Sequence, residues 1–337
     1  MPVRDNASDP TDLLLEVADL RVHIPSARGT VEAVDGVSFK IGRGEVVGIV
    51  GESGCGKSML ALSIMRLVPA PGRIASGRVA LLGRDLLGLS EREMRKVRGN
   101  EIGMIFQDPS ASLNPVMRIG RQVRETIDAH YALPGDQARA RSVEMLRAVR
   151  IPEPEIRAQD YPHQYSGGMR QRVMIGIGMA NRPKLLIADE PTTALDVTVQ
   201  AQIMELLRVM NEETGTAIIL ITHNIALVSR SCTRVLVMYA GRIVESGPTA
   251  EVFDNPQHPY TAALLNAVPR VESRLVGGLA TIEGRPPDLA RKPAGCAFYP
   301  RCSVRQEICA TEQPSAIAVG PDHTARCWLL TDGGAPR

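Results

Sequence analysis

The sequence predicts an α/β fold, and three features of the chain support this prediction. An apolar run at residues 45–51, EVVGIVG, has the pattern of a buried parallel strand and leads through a glycine-rich turn into a helix beginning at about Lys57. Further on, helical patterns alternate with short apolar strands, as in a sheet covered by helices. The apolar share of 44% in 337 residues suffices for one large domain with a real core plus a smaller domain.

The predicted elements follow in order from the N-terminus. Alternating and β-branched residues predict short strands within residues 13–50. The mostly polar segment 91–165 predicts helices near Ile119–His130 and Gln137–Val149. The alternation then continues through helix Met169–Asn181, strand Leu185–Asp189, helix Thr198–Glu213 and strand Ala217–Thr222, with short strands up to Val244.

The chain changes character after Gly247, where proline becomes frequent and the apolar rhythm weakens. We place a domain boundary near residue 250 and a linker-like segment around 270–292. The expected organisation is a large domain at 12–250 and a small C-terminal domain at 251–337.

Charge and hydropathy exclude several classes of function. Lys and Arg total 39 against 37 Asp and Glu, a net charge of +2, which argues against a nucleic-acid binder. The N-terminus shows no secretory signal, and the most apolar run, residues 217–221, is too short to span a bilayer. We therefore expect a cytoplasmic protein that other subunits anchor if it works at a membrane.

The stretch GESGCGKS, residues 51–58, fits the phosphate-binding pattern G-x-x-x-x-G-K-[ST] in the strand–turn–helix context that this pattern requires. Its backbone N–H groups and the helix N-terminus bind phosphate oxygens. Lys57 is expected to reach the β- and γ-phosphates, and the Ser58 hydroxyl to ligate Mg²⁺. The other residues of this nucleotide-binding set are Gly51, Glu52, Ser53, Gly54, Cys55 and Gly56, of which Cys55 is interpreted as a small packing residue.

Three further features complete the predicted site. LLIADEP delivers Asp189 at a strand end, where it is expected to hold Mg²⁺, and places Glu190 as a general base. Ser166, Gly167 and Gly168 stand at a predicted helix start, a second anion-binding N-terminus. His223 follows a strand at the ligand-binding edge and is interpreted as a sensor of the γ-phosphate.

This set of motifs resembles the ATP-binding-cassette (ABC) ATPases over about residues 12–250. The resemblance adds Gln107 in MIFQDP as a γ-phosphate sensor and Mg²⁺ ligand, and a D-loop at Ala194–Asp196. It implies a P-loop NTPase fold with a RecA-like core, an antiparallel β subdomain and a helical subdomain at about 108–168. It also implies that two cassettes pair head to tail, with each ATP between the P-loop of one and the signature serine of the other.

The sequence departs from the family pattern at two places. The usual signature Leu-Ser-Gly-Gly-Gln has Tyr165 and Met169 at its ends here, although its Ser-Gly-Gly core is intact. The position where the family stacks an aromatic ring on adenine corresponds to Ile24, beside His23. Adenine is therefore expected to be held less firmly, or by His23 instead.

A second, narrower resemblance covers about residues 250–330. NPQHPYTAALLNAVP at 255–269 and GCAFYPRC at 295–302 are similar to the C-terminal region of oligopeptide, dipeptide and nickel importers. The residue pattern of the first segment by itself predicts a proline-started helix with an apolar face that docks on the protein.

The six cysteines are distributed unevenly, and four stand near the C-terminus in the spacing C-x5-C-x6-C-x17-C: Cys296, Cys302, Cys309 and Cys327. In a reducing cytoplasm such a cluster is more typical of metal ligands than of disulfides. The absence of a close C-x2-C pair favours a [4Fe–4S] cluster over Zn²⁺, with free thiols as a further alternative. His323 is either an additional ligand or, by preference, a surface residue.

The resemblance implies the ATP-hydrolysing subunit of a peptide importer, with ATP and Mg²⁺ as cofactors. Its expected partners are a second, homologous cassette in a heterodimer, two transmembrane permease subunits and an extracytoplasmic binding protein. The expected location is peripheral, on the cytoplasmic face of the membrane. Two alternatives stay open: import of nickel or another small solute by the same machine, and a soluble ABC ATPase of iron–sulfur assembly, DNA repair or translation.

Overall fold

The computed structural model describes residues 12–193, 195–267 and 282–331. They fall into two compact units. The first takes its described residues from Met1–Lys40, Val47–Leu87 and Thr222–Arg337, and the second from Ile41–Val46 and Gly88–Ile221. No helix in the described ranges has the length and apolar character needed to cross a membrane.

The first unit carries a four-stranded sheet in the order β2-β1-β4-β5. Its strands are β1 (Leu13–Ser26), β2 (Gly29–Gly42), β4 (Arg73–Leu81) and β5 (Arg84–Asp85). The β1–β4 and β4–β5 pairs are antiparallel, and Leu15 stands opposite Leu81. Alternation along β1 buries Leu15 and Val17 almost completely, and buries Leu20 and Val22 in the same way across the register shifts that lie between Ala18 and Val22. This two-residue apolar period explains why the segment forms a strand.

A second series of strands in the same unit runs in the order β11-β12-β10-β9-β3. The strands are β3 (Val46–Val50), β9 (Arg234–Tyr239), β10 (Arg242–Pro248), β11 (Ile317–Gly320) and β12 (His323–Ala325). The β3–β9 pair is parallel, whereas β10 pairs antiparallel with both β9 and β12. Strands β11 and β12, near the C-terminus, therefore lie in the same series as β3, the strand that leads into the glycine-rich turn.

Among its described residues, the first unit has five α-helices: α1 (Lys57–Ile64), α9 (Ile225–Ser231), α10 (Thr249–Asp254), α11 (Pro259–Asn266) and α12 (Ile308–Thr311). The predicted proline-started helix is confirmed as α11. His258 caps this helix, because its Nδ1 accepts from the Tyr260 N–H at 3.0 Å. Burial lowers the pKa of His258 to about 4, so the ring is neutral and Nδ1 can accept.

The second unit contains three parallel strands in the order β8-β7-β6. They are β6 (Ile102–Ile105), β7 (Leu185–Asp189) and β8 (Ala217–Ile221), and every residue in them is buried. Burial on both faces explains why these runs are continuously apolar instead of alternating.

The helices of the second unit are α2 (Glu91–Val97), α3 (Pro109–Ser112), α4 (Ile119–Asp128), α5 (Gly135–Ala148), α6 (Pro154–Arg157), α7 (Gly167–Met179) and α8 (Val197–Thr214). Local signals set their ends. The Asp196 carboxylate accepts from the Val199 N–H at 2.9 Å to begin α8, and Gly215 ends it with φ of 68°.

The strands and helices predicted from the sequence are confirmed within a few residues. The elements that were not predicted are β4, β5, β6, β11, β12, α2, α3, α6, α9, α10 and α12. β6 has four residues, too few to show a period. The domain limits 12–250 and 251–337 and the helical subdomain at 108–168 stay predictions, and part of the linker predicted at 270–292 lies outside the described residues.

Candidate functional site

The turn between β3 and α1 contains two glycines that no other residue can replace. Gly51 has a φ of 152°, and a Cβ built on it would lie 2.2 Å from the carbonyl oxygen of Met238. Gly56 has a φ of 105°, and its Cβ would lie 2.1 Å from the carbonyl oxygen of Ala33. Both obstacles are backbone atoms, so a side chain at either position would displace the turn.

The Lys57 side chain folds back over this turn. It is only 6% exposed, and Nζ donates to the carbonyl oxygens of Gly51 at 2.8 Å and Glu52 at 3.0 Å. The α1 helix has no side-chain cap and no acidic residue in its first turn, so its N-terminus suits an anion. Cys55 is buried, and burial raises the pKa of its thiol, as expected for a packing residue.

The parallel strands of the second unit bring two predicted residues to one edge. Ile105 of β6 stands beside Ala188 of β7, and Asp189 ends β7 beside Ile221 of β8. Gln107, two residues past β6, and Asp189 are therefore at the same carboxyl edge, where α/β sheets bind ligands. Gln107 is exposed, whereas Asp189 is 5% exposed.

Glu190 has a backbone conformation that a non-glycine residue adopts at a cost. Its φ is 52°, and its N–H donates to the Ile221 carbonyl at 2.8 Å. Its carboxylate accepts from the Thr193 hydroxyl at 2.8 Å. Such strain persists where the surroundings hold the residue firmly, as at catalytic positions.

The predicted signature segment caps α7 as expected. The Ser166 hydroxyl accepts from the Met169 N–H at 3.3 Å, and Ser166 and Gly167 are exposed. The departure at Tyr165 is structural, because this side chain is 3% exposed and its hydroxyl donates to the Arg157 carbonyl at 2.9 Å. Burial raises the pKa of Tyr165 to about 12, so it acts as a neutral donor.

The remaining predicted residues are placed as follows. Asp196 caps α8, while Ala194 of the same D-loop lies outside the described residues. His223 is exposed and follows β8 by two residues, in the first unit. His23 and Ile24, the candidates for contact with adenine, are half-buried on β1, and their role stays a prediction.

The four C-terminal cysteines line one cavity of the first unit, together with residues that include His258, Phe298, Tyr299 and Trp328. Burial raises the pKa of Cys296 and Cys302, and raises that of Cys327 to about 11, with the neighbouring thiols adding to each shift. In the part of the chain that is described, no three His, Cys, Asp or Glu side chains are close enough to hold one metal ion. A cysteine-ligated metal subdomain is therefore not supported by the structure itself.

The interpretation of His323 as a surface residue is wrong. Its side chain is 5% exposed, and Nε2 lies 2.9 Å from the Glu245 carboxylate, which also accepts from the N–H groups of Gln257 and His258. A histidine that pairs with a buried carboxylate is stable in the interior. The position of His323 close to Cys327 in the sequence gave no sign of this carboxylate partner.

Sequence reasoning also missed two residues that touch the glycine-rich turn. The Glu52 N–H donates to the Tyr260 hydroxyl at 2.8 Å, and the Arg301 guanidinium pairs with the Glu52 carboxylate at 2.6 Å. Both lie in segments that the sequence singled out, the first in HPYTAALLN and the second in GCAFYPRC. Neither segment contains a local signal for a contact more than 200 residues away.

Comparison with known proteins places these features in a family. Residues 34–193 match the model of the ABC transporter family, and residues 244–309 match that of the oligopeptide/dipeptide transporter C-terminal region. The chain is 48% identical to a probable peptide ABC transporter ATP-binding protein of Sinorhizobium fredii, over 97% of this chain and 98% of that one. It is 51% identical to the oligopeptide transport ATP-binding protein OppD of Escherichia coli, over 91% of each chain.

A solved structure resembles the cassette part of the fold. The dimeric, post-hydrolysis structure of the ATP-binding cassette MJ0796, bound to ADP and Pi, aligns with a TM-score of 0.64 at 29% identity. The alignment covers 70% of this chain and 99% of that one.

Proposed function

Because this chain belongs to the ABC transporter family, in the branch of oligopeptide and dipeptide transporters, we propose how its residues divide the work of an importer. The protein is an ATPase that energises peptide import as one subunit of an ABC transporter. The observation that carries this function is the buried Lys57 ammonium folded over a glycine-rich loop at the head of α1. Nickel import and the soluble ABC functions are not favoured, since relatives at 48–51% identity are named as peptide transport proteins.

Residues 51–58 bind the phosphates of ATP. The backbone N–H groups of the loop hold the oxygens, and Lys57 exchanges part of its contact with the loop carbonyls for the β- and γ-phosphates. Ser58, Gln107 and Asp189 supply hydroxyl, amide and carboxylate oxygens, which are the hard ligands that Mg²⁺ prefers. When bound, Mg²⁺ would neutralise charge on the phosphates.

Glu190 accepts the proton of the attacking water, and His223 orients the γ-phosphate. The Thr193 hydroxyl supports this role, because its hydrogen bond helps to orient the carboxylate. Gln107 contacts the γ-phosphate and couples its presence to the position of the segment that follows, residues 108–165.

The exposed serine and glycine at the head of α7 bind the nucleotide of a partner cassette. Ser166, Gly167 and Gly168 form this second anion site, and Asp196 of the D-loop contributes to the same interface. The partner is a homologous ABC subunit in a heterodimer. Two transmembrane permease subunits and an extracytoplasmic binding protein complete the importer, so that this subunit is peripheral, on the cytoplasmic face of the membrane.

We further propose that Cys296, Cys302, Cys309 and Cys327 hold a [4Fe–4S] cluster. All four line one cavity, and their sequence spacing, which contains no close C-x2-C pair, suits a centre with separate iron corners better than Zn²⁺. Burial raises the pKa values of the Cys296 and Cys327 thiols, so cluster binding would release protons and contribute folding free energy. The role is structural.

Anaerobic purification followed by iron, sulfide and zinc analysis tests this centre. About four iron atoms per chain, with absorbance near 400 nm, are expected for a [4Fe–4S] cluster. Zinc without iron, or neither metal in protein kept anaerobic throughout, contradicts it.

Glu190→Gln tests the assigned hydrolysis. The variant should bind ATP normally and lose hydrolysis by about 10²–10⁴-fold, because a positioned general base is removed while the phosphate loop is untouched. The matched control is Glu213→Gln, an exposed residue at the end of α8, which should hydrolyse ATP at the wild-type rate. Near-normal turnover by Glu190→Gln would remove this residue from its role.

A further inference from the structure

Glu52 of the phosphate-binding loop is held at three of its polar groups. Its carbonyl oxygen accepts from Lys57 within the loop at 3.0 Å. Its N–H donates to the Tyr260 hydroxyl, 208 residues away, at 2.8 Å. Its carboxylate oxygens accept from the two terminal nitrogens of Arg301, 249 residues away, at 2.6 and 2.9 Å. Two of these three contacts therefore come from the C-terminal extension, which is the part of the chain after residue 250.

Arg301 uses all five of its N–H donors, which is the full capacity of a guanidinium. Beyond the fork to Glu52, it donates to the Tyr239 hydroxyl at 3.2 Å and to the carbonyls of Glu283 at 2.9 Å and Ile282 at 3.3 Å. Its side chain is 3% exposed. Saturation and burial fix the guanidinium in one orientation, and its planar fork matches a carboxylate in that orientation.

Tyr260 is fixed equally firmly from the other side. It is fully buried, with its ring 4.5 Å from that of Tyr239 and 5.4 Å from that of Phe298, centroid to centroid. Burial raises the pKa of its hydroxyl, so the group is neutral and accepts from the loop N–H. Burial and these two ring contacts set the position of the hydroxyl independently of the loop.

The Arg301 pair also changes the electrostatics of the loop. An unpaired Glu52 carboxylate would add a negative charge beside the place where phosphates bind, and would repel them. Arg301 neutralises that charge within a fork of two hydrogen bonds.

We propose that Tyr260 and Arg301 are positioning residues for nucleotide binding, and that the C-terminal extension acts as a clamp on the phosphate-binding loop. The clamp holds the loop at Glu52 in its binding conformation, so ATP does not have to order the loop when it binds. The clamp also neutralises the charge of the Glu52 carboxylate. The inference rests on the proposed ATPase function. It gives the extension a part in the chemistry of the cassette beyond its own folding.

The test is the Kd of a fluorescent ATP analogue for the purified full-length chain and its variants. Arg301→Gln should weaken binding about tenfold, the effect of losing charge-assisted hydrogen bonds. Arg305→Gln is the matched control, because Arg305 is an exposed arginine on the same segment, with its guanidinium over the Tyr299 ring at 5.5 Å. The Kd of this variant should equal that of the wild type. Tyr260→Phe removes only the hydroxyl and should weaken binding about fivefold.

A double-mutant cycle separates positioning from general destabilisation. If Arg301 acts through Glu52, then Arg301→Gln combined with Glu52→Gln binds ATP no more weakly than Arg301→Gln alone, because the unmasked charge is gone. Additive losses in the cycle would overturn the clamp, as would unchanged Kd values in both Arg301→Gln and Tyr260→Phe. If Arg301→Gln does not fold, Tyr260→Phe decides alone. If the wild-type chain does not bind ATP, the proposed function is refuted. If the wild type and the variants bind ATP equally well, only the clamp is refuted.

Discussion

Replacing Asp35 with Asn tests how the first unit is held together. Asp35 is 3% exposed, and three cations donate to its carboxylate: Arg21 Nη1 at 2.6 Å, Arg242 Nε at 2.8 Å and Lys292 Nζ at 3.0 Å. An Asn side chain keeps one acceptor oxygen and turns an NH₂ group toward the other cations. At least one of the three charge-assisted hydrogen bonds is lost, and all three cations lose the negative charge they surround. Because the cations can partly rehydrate, we expect a loss of about 3 kcal/mol in the free energy of unfolding.

The effect has a defined dependence on pH. Burial alone would raise the pKa of Asp35, but Lys292 and Arg242 outweigh it and lower the pKa below its ordinary value. With the folded pKa lowered, the contribution of the carboxylate is complete above the unfolded pKa of about 3.9 and is lost as the pH falls through the folded value. The difference between wild type and Asp35→Asn should be constant near neutral pH and shrink below about pH 4.

Urea unfolding followed by circular dichroism measures this difference. For a slope of about 3 kcal/mol/M, the midpoint of Asp35→Asn should fall by about 1 M. Asp19→Asn is the matched control, since Asp19 pairs with the same Arg21 at 3.0 Å but is 66% exposed, and it should cost less than about 1 kcal/mol. Equal midpoints for Asp35→Asn and Asp19→Asn would refute the reasoning.

Two further substitutions test single contacts. Gly56→Ala should lose ATP binding by more than about tenfold, because its Cβ would lie 2.1 Å from the Ala33 carbonyl oxygen. Gly83→Ala, at a φ of 78° with nothing within 4 Å of its Cβ, should keep wild-type affinity in the same titration, and equal affinities of the two variants would contradict this. Tyr165→Phe removes only the hydrogen bond to the Arg157 carbonyl, which should cost about 1 kcal/mol of unfolding free energy and lower the melting temperature by a few degrees. ATP binding should be retained. An unchanged melting temperature would show that this hydrogen bond contributes nothing to stability.

The parts of the fold that were predicted correctly have a local cause. The strand before residue 51, the helix from Lys57 and the cap at Ser166 are each set by side chains and backbone within a few residues. β6 was missed because four buried residues give no period, and α9 was missed because it has only seven residues. His323 was misinterpreted because its partner, Glu245, is 78 residues away.

The sequence by itself determined the chemistry of this protein: a lysine on a glycine-rich loop, an Asp-Glu pair ending an apolar strand, and a serine before two glycines. Each depends on residue types at fixed short spacing, because sterics and hydrogen bonds act over a few bonds. Only the tertiary structure decided that Tyr260 and Arg301 close on Glu52, and that Asp35 gathers cations from β1, β10 and the extension. Such contacts join residues far apart in the sequence, and they form because a buried charge must be paired with the groups that folding brings next to it.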